Sequence, residues 1–132
     1  MHFLDTNFCI DVLRHHSPAS QKKLQQTQEI GISTVVYGEL CFGIALSPTK
    51  TQENRREQLQ QFMSLVSIYP WDESAAEHYA LIRAHLQKKG TIIGNMDLLI
   101  AAHARSIGAI FVTKNRREFA RVPDLHIEDW SR

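Results

Sequence analysis

The chain has 132 residues and a formal net charge of +1, from 15 basic and 14 acidic side chains. Its 43% hydrophobic and 22% charged content is typical of a folded globular protein and excludes disordered and fibrous classes. A nucleic-acid partner would have to meet a local basic patch, because the whole chain is not a polycation. We expect one domain over 1–132, located in the cytoplasm and without a membrane partner, since no long apolar stretch or signal peptide is recognisable.

Short β-type segments alternate with longer helical patterns, which predicts an α/β fold with a parallel sheet covered by helices. The strands are expected near residues 2–5, 29–33, 67–69, 109–113 and 125–128. The first helix is expected directly after Asp5, with Thr6 or Asn7 as its N-cap. Two more are expected over 18–27 and from Ser33 or Thr34 to Leu46. The last three are expected over about 51–66, from 72–74 to Gly90, and from Asp97 to just before Gly108.

Three acidic residues lie among apolar or small neighbours: Asp5 in HFLDTN, Glu39 in VVYGEL and Asp97 in GNMDLLIAAHA. A carboxylate beside a hydrophobic run loses hydration energy unless it is paired, hydrogen-bonded or bound to a cation. The predicted elements place all three near the carboxyl edge of the sheet, where open α/β folds bind their ligands. Carboxylate oxygens are the ligands of Mg²⁺ and Mn²⁺, so the sequence predicts a shared divalent-cation site.

Each acid also has a simpler interpretation. Asp5 and Asp97 could serve only as helix caps, and Glu39 could occupy a solvent-facing helix position. The conjunction of the three makes the metal hypothesis specific. The chain has no GxxxxGKS, HExxH or G-x-S-x-G motif that would indicate a nucleotide site, a zinc protease or a serine hydrolase.

Four motifs in order carry a resemblance that spans the whole chain: FLDTN, ISTVVYGEL, KKGTIIGNMDLLIAAHARSIGAIFVTKNRREFARVP and LHIEDW. Together they resemble a PIN-domain ribonuclease of the VapC toxin type. The resemblance implies a single PIN-like domain with a five-stranded parallel sheet flanked by helices, a homodimer, and Mg²⁺- or Mn²⁺-dependent cleavage of RNA, typically tRNA. It also implies a cognate antitoxin, whose tail we expect to place a basic side chain in the acidic pocket.

By the family pattern, Asp5, Glu39 and Asp97 fall on the principal metal-site acids. Asn115 occupies the fourth catalytic position, where many relatives have Asp. Its carbonyl oxygen can still accept a metal or a bound water, but it lowers the negative charge of the pocket. Whether Asn115 or the nearby Glu118 contributes to the metal site stays open at this stage.

Further residues around this pocket have supporting roles in the same hypothesis. Glu118 is a candidate outer acid, and Thr6 and Thr113 are candidates for orienting the site through hydroxyl hydrogen bonds. A basic cluster follows the last corner of the pocket and suits phosphate contacts, although a solvated charged face is an equally simple interpretation. The candidate RNA-binding residues are Lys114, Arg116, Arg117 and Lys88.

Two other classes of protein are alternatives. A phosphoreceiver domain has acids at strand ends, but its phosphoacceptor follows a central strand, whereas Asp97 is expected to open a helix after a glycine-bearing loop. A catalytically silent PIN-like binding module stays open, because Asn115 departs from a four-acid site. Cation-dependent stabilisation and RNA cutting would separate that module from an enzyme.

Overall fold

Five short parallel strands form the sheet of this computed structural model, which describes residues 1–131; Arg132, at the end of the predicted domain, lies outside the described residues. The strands are β1 (His2–Leu4), β2 (Ile30–Ser33), β3 (Ser67–Tyr69), β4 (Ile110–Val112) and β5 (His126–Glu128). They follow the order β3-β2-β1-β4-β5, and every neighbouring pair is parallel. The five predicted strands and their parallel arrangement are confirmed.

Helices cover the sheet and make the crossovers that parallel strands require. They are α1 (Thr6–Ile10), followed by a π-helical turn (Asp11–His15), then α2 (Pro18–Gln26), α3 (Thr34–Leu46), α4 (Thr49–Met63), α5 (Glu73–Lys89), α6 (Asn95–Ser106) and α7 (Arg116–Phe119). The π-helical turn and α7 were not predicted. No helix in the part of the chain that the structure describes is both long and apolar enough to cross a bilayer.

The central strands are apolar on both faces because helices cover both sides of the sheet. Phe3 and Leu4 in β1, Ile32 in β2, and Phe111 and Val112 in β4 are completely buried. The chain leaves β1 toward β2 and β3 on one side and later returns to β4 and β5 on the other. The change of direction lies between β1 and β4, and this is where open α/β sheets form a crevice at their carboxyl edge.

The start of α1 differs from the prediction. Its N-cap is Asp5, whose Oδ1 accepts a hydrogen bond of 2.7 Å from the Phe8 N–H, so the expectation that Thr6 or Asn7 would be the cap was wrong. An extended Asp5 after β1 leaves its carboxylate free to turn back onto the first helical turn. The same residue therefore caps α1 and faces the crevice.

Two other helix boundaries also differ. Helix α6 begins two residues before Asp97, because Gly94 has the extended conformation of a cap (φ −57°, ψ 148°), and this puts Asp97 in the first turn. Helix α4 ends at Met63 instead of near 66, because the Ser64 N–H and hydroxyl both donate to the Gln61 carbonyl and close the helix.

Candidate active site

Asp5 lies at the crevice between β1 and β4, and each oxygen of its side chain accepts one hydrogen bond from the protein. It is only 5% exposed. The Thr113 hydroxyl, directly after β4, donates to Asp5 Oδ2 at 2.5 Å, and the Phe8 N–H donates to Oδ1. Burial raises the pKa of Asp5 more than these two hydrogen bonds lower it. Each carboxylate oxygen keeps a further lone pair, so the group can still bind a cation.

Glu39 reaches the same crevice from the second turn of α3. Helix α3 starts directly after β2, where the Ser33 hydroxyl accepts a hydrogen bond from the Val35 N–H. The Thr6 hydroxyl on α1 donates to Glu39 Oε1 at 2.5 Å. The two threonines that the sequence predicted to orient the site thus make hydroxyl hydrogen bonds to two of its acids.

Asp97 completes the group from the first turn of α6, where the helix dipole favours a negative charge. Burial raises the pKa of Asp97, and the negative charges of Glu118, Asp5 and Glu39 raise it further, to about 6. Burial is the largest cause of the shift, and within residues 1–131 the charges that add to it all come from carboxylates around the cleft.

Glu118, and not Asn115, is the residue in contact with Asp97. Its Oε2 accepts a 2.7 Å hydrogen bond from Asn115 Nδ2, and its Oε1 accepts a longer one, 3.4 Å, from the Gly94 N–H before α6. Asn115 is the N-cap of α7 and orients Glu118. The structure therefore brings an acid to the corner for which the sequence left Asn115 and Glu118 open.

The predicted RNA-binding residues fall into two groups. Lys114 is in an ion pair with Asp11 of the π-helical turn. Arg116, Arg117 and Lys88 are exposed, and none of the three is in an ion pair within residues 1–131. Only the second group is free to meet a phosphate as the protein stands.

Asp5, Glu39 and Asp97 line an open cleft of about 500 Å³. Across residues 1–131, no three His, Cys, Asp or Glu side chains stand close enough to enclose a metal ion without moving. The chemistry of the donors nevertheless fits a hard divalent cation, because all are carboxylate oxygens that line one cleft. Mg²⁺ keeps several water ligands in such sites and needs only one or two direct carboxylates.

His103 is a buried polar residue of the site's framework that sequence reasoning missed. Its Nδ1 is 2.9 Å from the Ser33 hydroxyl, and this contact joins α6 to the start of α3. Burial lowers the pKa of His103, which favours the neutral form of the ring. Since α3 carries Glu39 and α6 carries Asp97, this hydrogen bond links the helices of two acids. The available signal was a histidine inside the apolar run LLIAAHA.

Known proteins resemble this chain over its whole length. A family model described as the PIN domain matches residues 2–125. Ribonuclease VapC2 of Rickettsia felis is 36% identical, over 100% of this chain and 99% of the relative. The tRNA(fMet)-specific endonuclease VapC of Shigella flexneri is 38% identical, over 97% of this chain and 96% of the relative.

Solved structures agree with these relatives. The chain superposes on VapBC2 from Rickettsia felis, bound to a DNA fragment from its promoter, with a TM-score of 0.92 and 35% identity, covering 98% of both chains. DNA-bound VapBC from Salmonella typhimurium gives a TM-score of 0.93 and 35% identity, covering 98% of this chain and 97% of the other. The chain therefore belongs to the PIN-domain family and to its VapC ribonuclease group, as the sequence motifs indicated.

Proposed function

We propose that this chain is the ribonuclease toxin of a type II toxin–antitoxin pair, and that it hydrolyses RNA in the cleft between Asp5, Glu39 and Asp97 with Mg²⁺ or Mn²⁺. The observation that carries the proposal is that Asp5, Glu39 and Asp97, which are far apart in the chain, line one open cleft at the carboxyl edge of the sheet. A catalytically silent module is not favoured, because the similar proteins of Rickettsia felis and Shigella flexneri are named as a ribonuclease and an endonuclease.

In this mechanism the acids hold the cation, and the residues behind them keep the acids in place. Asp5, Glu39 and Asp97 would be the ligands, with Glu118 next to Asp97. When bound, the cation lowers the pKa of a coordinated water and neutralises charge that develops on the phosphate. The Thr113 and Thr6 hydroxyls each occupy one oxygen of a carboxylate, so Asp5 and Glu39 keep a fixed orientation before substrate arrives.

The relatives support a proposal for the substrate and the partner. The Shigella flexneri relative is named a tRNA(fMet)-specific endonuclease, which supports tRNA as the substrate. The solved relatives from Rickettsia felis and Salmonella typhimurium are VapBC complexes, which supports a cognate antitoxin. We propose that the antitoxin inhibits by placing a basic side chain against the acidic cleft, so the purified complex should cut RNA more slowly than the free protein. We also propose a homodimer.

We further propose that basic residues beside the cleft contact phosphates of the bound RNA. Arg116, Arg117 and Lys88 are exposed and available for this role. Lys114 would reach a phosphate only by leaving Asp11.

The direct test is cleavage of unfractionated tRNA by antitoxin-free protein in Mg²⁺ or Mn²⁺. Asp5→Asn keeps the shape and the capping ability of the side chain but removes its charge, so cleavage should fall about 10²–10³-fold without loss of the fold. Asp124→Asn is the matched control, since Asp124 lies in an exposed turn with φ 61°, a conformation that Asn also tolerates.

Two results would contradict the proposal. Full activity in a folded Asp5→Asn variant would refute the catalytic role of Asp5. Absence of divalent-dependent cutting by the wild type on tRNA, mRNA and rRNA would restore the silent-module alternative.

A further inference from the structure

A narrow recess continues the acidic cleft beyond Glu39 and Ile10, which line both. Two arginines line this recess: Arg14 from the π-helical turn and Arg55 from α4. The Arg14 guanidinium lies over Gly43, with its Nη2 3.6 Å from the position that a Cβ of residue 43 would take. Gly43 follows Glu39 by one helical turn on the same face of α3, so the Arg14 guanidinium lies against the turn of α3 that follows the acid.

These two guanidinium groups are free of protein partners. Within residues 1–131, neither Arg14 nor Arg55 is in an ion pair or donates a side-chain hydrogen bond. Arg105 and Arg56 are engaged, since Arg105 donates to His78 and to a backbone carbonyl and Arg56 donates to Gln52. A guanidinium presents five N–H donors in a fork that matches phosphate oxygens, so an unpaired pair at a cleft is suited to an anion.

We infer that Arg14 and Arg55 form a subsite for an RNA phosphate next to the one that is cleaved. The inference rests on the proposed ribonuclease function. A cation between the acids would meet the reacting phosphate, and one helical turn further along α3 the arginines supply the positive charge for the neighbouring phosphate. An RNA strand carries one negative phosphate per nucleotide, so one phosphate can lie at the cation while the next lies at the arginines. A peptide would instead need a basic side chain at the acids and an acidic one at the arginines.

Steady-state cleavage of unfractionated tRNA in Mg²⁺ tests the subsite with Arg14→Gln and Arg55→Gln. Arg56→Gln is the matched control, because it makes the same charge change at the next residue of α4, which does not line the recess. Each subsite variant should raise KM about tenfold and leave kcat within about twofold, since the lost contact holds a phosphate that does not react. The control should stay close to wild type.

Salt dependence separates a phosphate contact from a general disturbance. In each subsite variant the slope of log(kcat/KM) against log salt should become shallower by about 0.7–0.9, the value for one phosphate contact. Arg14→Lys keeps the charge but loses the fork, so it should retain the wild-type slope and recover only part of the KM.

The outcomes distinguish this inference from the proposed function. If wild type cuts tRNA and both subsite variants match Arg56→Gln, the subsite is wrong and the ribonuclease function stands. If wild type cuts no RNA, both fail. A fall in kcat at constant KM would show that the arginines support Glu39 structurally. Normal cleavage with weakened binding of the co-expressed antitoxin would show that the recess binds the antitoxin. Either result would overturn the subsite.

Discussion

The cleft has a strand end, at Asp5 after β1, and a helix end, at Asp97 in α6, and the two acids differ in the groups that surround their carboxylates. At the strand end, burial and the charge of Asp11 raise the pKa of Asp5, and two hydrogen-bond donors and the charge of Lys114 act against them by favouring the ionised form. At the helix end, Asp97 is half-exposed, and after burial every further influence on its pKa comes from another carboxylate and raises it. The first acid accepts hydrogen bonds from the protein on both oxygens, whereas within residues 1–131 every charge that shifts the pKa of the second is negative.

This difference indicates at which end of the cleft a bound cation would stabilise the ionised acids most. A carboxylate with its own donors can keep its charge and orientation in the free protein. A carboxylate that is surrounded by other carboxylates is ionised at a cost in electrostatic free energy, and a bound divalent ion offsets that cost. We therefore expect substitutions at the helix end to change cation binding strongly, and substitutions around Asp5 to change the geometry of a site that still binds.

The largest expected effect comes from removing an acid, and at the helix end it should equal the effect of Asp5→Asn. Asp97→Asn should reduce divalent-dependent tRNA cleavage about 10²–10³-fold, because it removes a charge that holds the cation. Glu118→Gln should cost only about tenfold, since its amide oxygen can still accept from the Gly94 N–H. Single-turnover cleavage rates check both, with the exposed Glu77→Gln on α5 as control. Equal losses at Asp97 and Glu118 would mean that the two acids are equivalent ligands.

A smaller loss of cleavage is expected when the residue that orients Asp5 at the strand end is changed. Thr113→Val keeps the shape of the side chain but removes the hydroxyl that donates to Asp5, so cleavage should fall about tenfold while cation affinity changes little. Cleavage at saturating Mn²⁺ and a Mn²⁺ titration measure the two quantities separately. Loss of cation affinity equal to that of Asp97→Asn would show that the Asp5 end is not prepared independently.

The smallest effect concerns stability without a cation. The pKa of Asp97 is about 6 in the folded protein against 3.8 for the ordinary side chain, so the folded state binds this proton more tightly and the ionised form is destabilising above pH 6. In EDTA at pH 7.5, Asp97→Asn should therefore raise the free energy of unfolding by no more than about 1 kcal/mol, because the group is half-exposed, and Tm should rise with it. The gain should disappear as the pH falls below 4. A variant that melts below wild type at pH 7.5 would contradict the charge cost.

Much of the fold could be predicted from local pattern. The alternation of apolar strands and amphipathic helices indicated the five strands and the parallel sheet, because both follow from side-chain periodicity along the chain. Helix ends were less accurate. Nothing in the residues Asn95 and Met96 shows that α6 has already begun, and the cap at Gly94 depends on backbone conformation that the sequence does not display.

The site could be predicted only in part for a different reason. Its acids were found because each is unusual among its own neighbours, but its contacts join residues far apart in the chain. Thr113 and Asp5 are 108 positions apart, and His103 and Ser33 are 70 apart. The pairing of Lys114 with Asp11, which occupies a predicted RNA contact, likewise depends on the unpredicted π-helical turn. Such contacts are set by packing and not by local pattern.

The most direct test of the shared cation site is thermal unfolding in a Mn²⁺ titration. A cation that binds only the folded protein adds about 2.7 kcal/mol at a concentration 100 times its Kd, which raises Tm by several degrees. The wild type and Asp124→Asn should show this rise, and Asp97→Asn should lose most of it. No rise in the wild type, or the same rise in Asp97→Asn, would contradict the account.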